Sequence, residues 1–481
     1  MVFPMKKTVG PLNSIPFLVL AIFLPELLFT RILGEEETAK IYLMLQAGGQ
    51  TTAVFFLFVC YASFCINSRG DCVCSFFRVP GRKMSFFLLL FLVNSLLAGI
   101  VGFANGHSLS YALGDIYKFT IFPVTVFVIY SCIKSEYSLN FLLKASVLLY
   151  AVFMMVYAAQ YLAGLLLLQQ RPILIYIFPF MPPILFYLHR EFGRRSYIAL
   201  LFMYAVIFII FLWFSQSLSF LVTNVFVFLA TWWFHKGLGQ LARKFILGFA
   251  LTGFTVISVA FLYPAIVSYI LRGLVNQDFY LTRKFYFIFS NGLTLQTAEL
   301  IGGDRVAHFV AVIQYYCEHP SHLLFGQGMG GKIYVESVTG LLNRSWKVWN
   351  HFVEGGYPEV LLRSGIIGLF SYMMIFIIVF RQALKRAREN IFCAFAAAYA
   401  LYVLIFSLLN LGYIGNGFGS LYMASLTIAG TLRLAKNKSN SNFFEKSRMT
   451  KFFILHRNQK EEGHLEIRLA ENGAKEVCSK C

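Results

Sequence analysis

Charge is scarce in this chain. Asp, Glu, Lys and Arg make up 13% of its 481 residues, hydrophobic residues make up 58%, and the mean hydropathy is +0.68. A water-soluble fold of this size has no interior large enough for so much apolar surface, so lipid is the expected solvent. A disulfide framework is missing as well. Of the nine cysteines, Cys60, Cys65, Cys72, Cys74, Cys132, Cys317, Cys393, Cys478 and Cys481, most lie in or beside apolar runs or in segments with a cytoplasmic signature. The pairs Cys72/Cys74 and Cys478/Cys481 have no partner pairs at zinc-site spacing. No glycine-rich stretch ends in the Lys-Ser/Thr of a nucleotide loop, which argues against nucleotide chemistry, and no Asp-x-Asp element offers a metal to a sugar-nucleotide donor. There is no internal repeat of the kind on which many twelve-span transporters are built. The formal charge of +19 comes from short basic clusters between apolar runs, a pattern of membrane topology and not of nucleic-acid binding.

What is present is a succession of apolar runs near 14–32, 41–66, 84–104, 113–133, 141–168, 172–187, 197–214, 220–234, 245–270, 360–380, 391–411 and 418–434. In lipid every backbone polar group needs an internal partner, and runs of about 20 residues select helices over a barrel. The expectation is therefore an all-α, polytopic membrane protein with about twelve transmembrane helices. With the amino terminus inside, alternate connections carry Arg69, Arg78, Arg82, Lys83, Lys134, Arg190, Arg194, Arg195, Lys236, Arg243, Lys244, Arg381, Lys385, Arg386 and Arg388. The opposite short connections hold only Lys40, Lys118 and Arg171, with Glu35, Glu36 and Glu37 together in the first. This asymmetry predicts both termini in the cytoplasm. Met1–Gly10, with Lys6 and Lys7, precedes an apolar run without a small-residue cleavage site and reads as the lead-in to a retained first span. The organisation expected is 1–270 with nine spans, 271–359 as one long non-cytoplasmic loop, 360–434 with three spans, and 435–481 as a polar cytoplasmic tail.

The long loop is rich in aromatics and balanced in charge, so it reads as ordered and functional. Its middle predicts a helix from near Asp304, with Val306, Phe309, Val310 and Ile313 on one face and a stop at Pro320. Arg305 and His308, three apart, share a side of that helix. The turn Phe325-Gly326-Gln327-Gly328-Met329-Gly330-Gly331 follows, where glycine permits close backbone approach to a ligand. Then His351 leads into Gly365-Ile366-Ile367-Gly368 at the head of a span.

This order, an Arg-led helix, a Pro, a Phe-Gly-x-Gly-x-Gly turn, a His element and Gly-Ile-Ile-Gly, resembles the bacterial O-antigen polymerase and O-antigen ligase family over about residues 300–370. In that family the His stands eleven residues before the first Gly of Gly-x-x-Gly. Here Glu354 holds that position and His351 lies three residues earlier. The family's Ser-Arg at the mouth of a mid-chain span is replaced by Ser217-Leu218-Ser219.

The resemblance implies a GT-C-like membrane enzyme of the bacterial inner membrane whose long loop is periplasmic. The implied reaction is metal- and cofactor-free transfer of a glycan from an undecaprenyl-diphosphate carrier to a sugar hydroxyl, polymerising O-antigen or exopolysaccharide repeat units. The alternatives are ligation of the polymer to lipid A-core or, from a different class, a twelve-span transporter or flippase. A chain-length regulator protein is the implied partner, and nucleic acid is not.

Such a reaction needs cations for the leaving diphosphate and a base for the acceptor proton. Arg305 is the first expectation for the diphosphate, and His351 or Glu354 for the base. Arg363, Arg283, Lys284, His319, His322 and the glycines Gly326, Gly328 and Gly330 are expected to contact substrate.

Overall fold

The computed structural model describes residues 82–133, 136–162, 180–215, 218–237, 304–339, 344–351, 353, 355–407 and 423–435. The runs at 14–32, 41–66 and 245–270, the first third of the long loop with Arg283 and Lys284, Glu354, Ser217 and the tail beyond Ala435 lie outside the described residues. Contacts divide the chain at Leu432, and the unit that begins at Arg433 is represented only by three residues ending a helix.

The described chain is helical apart from one hairpin. In order come α1 (Arg82–Ala104), α2 (Leu109–Cys132), α3 (Glu136–Leu162), the short α4 (Met181–Tyr187), α5 (Arg194–Ser215), α6 (Leu218–Lys236), α7 (Asp304–Glu318), β1 (Ile333–Thr339), β2 (Arg344–Asn350), α8 (Gly356–Leu384), α9 (Ile391–Phe406) and α10 (Met423–Ala435). Of the nine apolar runs that overlap the described residues, eight correspond to helices, and of the run at 172–187 only the end is described. Among the described residues, two helices, Lys83–Ala104 and Gly356–Leu384, are long and apolar enough to cross a membrane.

These helices are apolar on exposed as well as buried faces. On α1, Leu88 and Phe91 are buried while Val93, Leu97 and Ile100 are exposed. A helix that is apolar all round belongs in a large interior or in lipid. Five buried hydroxyls are satisfied by the helix itself: Ser95, Thr125, Ser146, Thr231 and Ser364 each donate to the carbonyl four residues back, at 2.7 Å.

Helix α8 packs between α1 and α9, α9 packs on α6, and α1 packs on α2. Aromatic rings fill the seams. Phe91 stacks on Phe119 at 6.0 Å and meets Tyr372 at 6.1 Å, and Phe122 stacks on Phe376 at 6.2 Å. Helix α8 is two helices in series. Gly365 breaks it with φ 64° and ψ −166°, and the Cβ that any other residue would add falls 2.2 Å from the Leu324 carbonyl oxygen.

The described part of the long loop adds strands that an all-α expectation does not contain. β1 and β2 pair antiparallel from Ile333 opposite Asn350 to Thr339 opposite Arg344. The alternation that builds β1 is plain in retrospect: Ile333 and Val335 are buried, Tyr334 and Glu336 exposed. Together with Ala311, Val312, Tyr316, Val353 and Leu362 the two buried strand residues form a small core that fixes α7 and the hairpin to the head of α8.

Helix α7 starts at Asp304 and ends before Pro320 as expected, but the face read as apolar points away from the core. Val310 and Ile313 are each 44% exposed, whereas His308, Ala311, Val312 and Tyr316 are buried. Packing against β1 and α8 selects the opposite side of the helix.

Candidate functional site

The glycine turn is stitched to three helices. Its amides donate as follows: Gly326 to the His322 carbonyl at 2.7 Å, Gln327 to Leu362 of α8 at 2.9 Å, Met329 to Ala98 of α1 at 2.9 Å, and Gly330 to the Asp115 carboxylate of α2 at 2.8 Å. In return Asn105 donates to the Gln327 carbonyl and His107 Nδ1 to that of Met329, both at 3.0 Å. Gly326, Gly328 and Gly330 all have positive φ, at 79°, 93° and 79°. A Cβ on Gly328 would fall 2.3 Å from the Gly102 nitrogen, and one on Gly330 would fall 2.6 Å from the Ala112 nitrogen. The close backbone approach that glycine permits here is therefore to the protein's own helices. With their Cα positions pressed against these helices, Gly326, Gly328 and Gly330, expected to contact substrate, shape the site.

An ion pair buried beneath the turn holds it in place. Arg363 of α8 is 1% exposed, and its Nε lies 3.0 Å from Asp115 Oδ2 of α2. Its two terminal nitrogens donate to the carbonyls of Gly331 and His351. A guanidinium in so apolar a place is tolerable only when paired and hydrogen-bonded, and here the two terminal nitrogens are hydrogen-bonded while Nε is ion-paired with Asp115. Arg363, expected to contact substrate, directs its donors inward to the turn and to Asp115. Around the pair, Lys118 Nζ stands 4.0 Å from Asp115 Oδ1 and 3.9 Å from the buried Glu359 Oε1.

His351 sits where these elements meet. Its ring stacks on Tyr111 of α2 with centroids 3.7 Å apart and planes 14° apart, and it faces the carbonyls of Gly330 and Gly331. Its own carbonyl accepts from Arg363. Desolvation, together with the charges of Lys332 and Arg363, holds the imidazole below the usual histidine range despite the two carbonyls. At neutral pH the ring is uncharged and half-buried.

A second group of rings lies at the start of the turn, where the Gly326 amide meets the His322 carbonyl. Tyr315, His319 and His322 stack in a ladder, with centroids 4.7 Å apart for Tyr315 and His319 and 5.7 Å apart for the two histidines. Tyr315 Oη and His322 Nδ1 share a 2.6 Å hydrogen bond, and burial pushes the phenol up to about 12. His319 Nδ1 donates to the Tyr315 carbonyl at 3.2 Å. Arg305 is half-buried in the first turn of α7, one helical turn from the buried His308.

Of the expected site residues, the structure brings Gly326, Gly328, Gly330, His351 and Arg363 into one connected network, with His319 and His322 at the entrance to the turn. Arg283, Lys284 and Glu354 lie outside the described residues. Sequence reasoning did not single out Asp115, Tyr111, His107, Lys332 or Glu359. The available signal was Asp115 and Lys118, three apart inside an otherwise apolar run, where a charge is a functional or structural marker. Among the described residues, no three His, Cys, Asp or Glu side chains converge as a metal site. No protein-family model matches the chain, and no curated protein is similar enough in sequence to count as a relative.

Proposed function

We propose that this chain is a polytopic enzyme of the bacterial inner membrane, with about twelve spans and both termini in the cytoplasm, that transfers a glycan from undecaprenyl diphosphate to a sugar hydroxyl on the periplasmic side. The observation that carries the proposal is His351: an imidazole kept neutral at physiological pH, half-exposed, beside the exposed Lys332 and fixed to the heads of apolar helices.

In the reaction, the lone pair of the imidazole takes the acceptor hydroxyl's proton as that oxygen bonds to the anomeric carbon. The bond from that carbon to the carrier diphosphate breaks, and the leaving oxygen keeps the electron pair. Negative charge gathers on the diphosphate, where Lys332 and Arg305 supply the cations. Arg363 positions His351 through its carbonyl and does not touch substrate. The stacked Tyr315, His319 and His322 offer flat faces and polar edges to the sugar.

Polymerisation of repeat units is the reading we adopt. Ligation to lipid A-core uses the same donor, and a deletion strain separates the two: a core carrying a single repeat marks a lost polymerase, a bare core with carrier-linked polymer a lost ligase. A transporter reading draws on one observation, the charged group of Asp115, Lys118, Glu359 and Arg363 inside apolar helices. Two of the four are locked to each other and to the turn, which suits a fixed frame better than a moving gate.

The test is His351→Ala in cells that express the chain normally. A loss of at least about a hundredfold in polymer is expected for removal of a base. An unchanged polysaccharide ladder in both His351→Ala and Arg305→Ala overturns the proposal.

A further inference from the structure

We infer that Leu323, Leu324 and Phe325 form a shelf immersed in the hydrocarbon edge of the bilayer, beside the head of the helix that follows Gly365. The inference rests on the chain's being a membrane protein and is independent of the transfer reaction.

The break at Gly365 leaves Ile366–Leu384 as the continuous apolar helix. At 1.5 Å per residue this stretch spans about 28 Å, close to the roughly 30 Å of a bilayer's hydrocarbon layer. Its first amides have no partner within the helix, and water is not at hand to satisfy them in lipid. The Ile366 amide donates to the Leu323 carbonyl at 2.9 Å and the Ile367 amide to that of Leu324 at 3.4 Å. The Leu323–Phe325 segment thus caps the span, and the capping bonds set it at the level where the helix enters hydrocarbon.

The side chains agree with that level. Leu323, Leu324 and Phe325 are 41%, 54% and 43% exposed, a run of three consecutive apolar residues that a water-facing surface does not ordinarily carry. At the head of the span, Ile366 and Phe370, one helical turn apart, are 45% and 53% exposed. From Gly326 to Gly331 the chain is buried, so the exposed run stops where the turn enters the helix junction. Apolar surface continuous with the exposed face of a span has the same solvent as the span: the acyl chains of the outer leaflet.

The experiment places a fluorophore on the shelf. Phe325→Trp and Leu324→Trp chains are reconstituted into phosphatidylcholine vesicles whose acyl chains carry bromine either near the headgroup or near the chain end, with Phe370→Trp as the lipid-facing reference. The expected result is that the added emission of both shelf variants is quenched at least twofold, more by bromine near the headgroup than by bromine near the chain end, and is little affected by aqueous iodide. Quenching by iodide without quenching by bromine would show a water-facing segment. Insensitivity to both would show a surface covered by protein, such as a second copy. Either outcome overturns the inference. If both tryptophan variants fail to insert, Leu324→Cys in a Cys317→Ser background gives the same answer. Protection from a charged maleimide relative to the Cys317→Ser parent supports the shelf, and ready labelling sinks it.

Discussion

His351 and the Tyr315, His319 and His322 ladder lie at opposite ends of one glycine turn and are held in place by opposite means. His351 is positioned from afar. Tyr111 and Asp115 come from α2, Arg363 from α8, and the Gly330 and Gly331 carbonyls from the turn. The ladder is local, since Tyr315 lies in the last turn of α7, and His319 and His322 cap and end the short 3-10 turn that follows it. Precision at His351 therefore depends on the tertiary packing of three segments that are far apart in sequence. The ladder depends on little beyond α7. Substitutions aimed at the frame should damage His351 and spare the ladder, while substitutions in the ladder should stay local.

The largest effect is expected at Arg363. Arg363→Met leaves Asp115 buried beside an uncharged side chain and releases two carbonyls, and breaking a buried pair from one side costs about 3–5 kcal/mol. Thermal unfolding of detergent-solubilised protein should show a large fall in midpoint. Adding Asp115→Leu should recover part of it by removing the stranded charge. A single variant as stable as the parent would mean that the turn does not depend on this pair.

The glycine positions come next, and two of them separate strain from crowding. Gly106 and Gly328 both have positive φ, 71° and 93°, but a Cβ on Gly106 meets nothing within 4 Å, whereas one on Gly328 would fall 2.3 Å from the Gly102 nitrogen. Gly106→Ala should lose about 1–2 kcal/mol from the left-handed backbone alone. Gly328→Ala should lose clearly more, because α1 and the turn must move apart. Equal losses in the two unfolding curves would remove the argument that the turn is wedged between helices.

This contrast between distant and local support also explains what the sequence made legible. The helices of the described spans follow from apolar runs, and α7 follows from a start at Asp304 and a stop at Pro320, all of them local signals. The face of α7 that is buried, the inward role of Arg363 and the part played by Asp115 are decided by which segments meet. No local pattern encodes that. Lys118 counts in the charge asymmetry of the connections, but its neighbour Asp115, three residues earlier in the same apolar run, carries no such signal, and its buried partner Arg363 is distant in sequence. The β1–β2 hairpin was missed for a different reason: its alternation covers only a few residues next to a turn whose glycines drew a ligand-binding reading.

A smaller effect should appear in the acid limb of the proposed transfer. His351 works as a base only when neutral, and its proton affinity is held down first by desolvation, then by Lys332 and Arg363. Activity should hold above this lowered value and fall as pH drops through it. Lys332→Gln removes one of the opposing charges, so the histidine binds protons more readily and the limb should move to higher pH. A pH–rate profile of the variant decides the matter. A limb that stays in place, or moves to lower pH, would show that the titrating group is not His351.

The smallest expected effect belongs to the ladder, and its smallness completes the contrast. Tyr315→Phe removes the 2.6 Å bond to His322 Nδ1 and leaves the stacked rings and the Tyr316 hydroxyl's bond to the Leu361 carbonyl in place. One partly buried hydrogen bond is worth about 1 kcal/mol, so the unfolding midpoint should barely shift. The chemical consequence is sharper than the energetic one. A phenol pushed up to about 12 keeps its proton at neutral pH, and its bond to Nδ1, whichever atom donates, favours one placement of the ring proton of His322. Without the phenol that preference is lost, and the nitrogen-15 shifts of His322 should move toward a mixture of tautomers while those of His351 stay where they were. Movement of the His351 resonances instead would show that the two groups are coupled through the glycine turn, and that the turn is a less rigid partition than its packing against α1 and α2 implies.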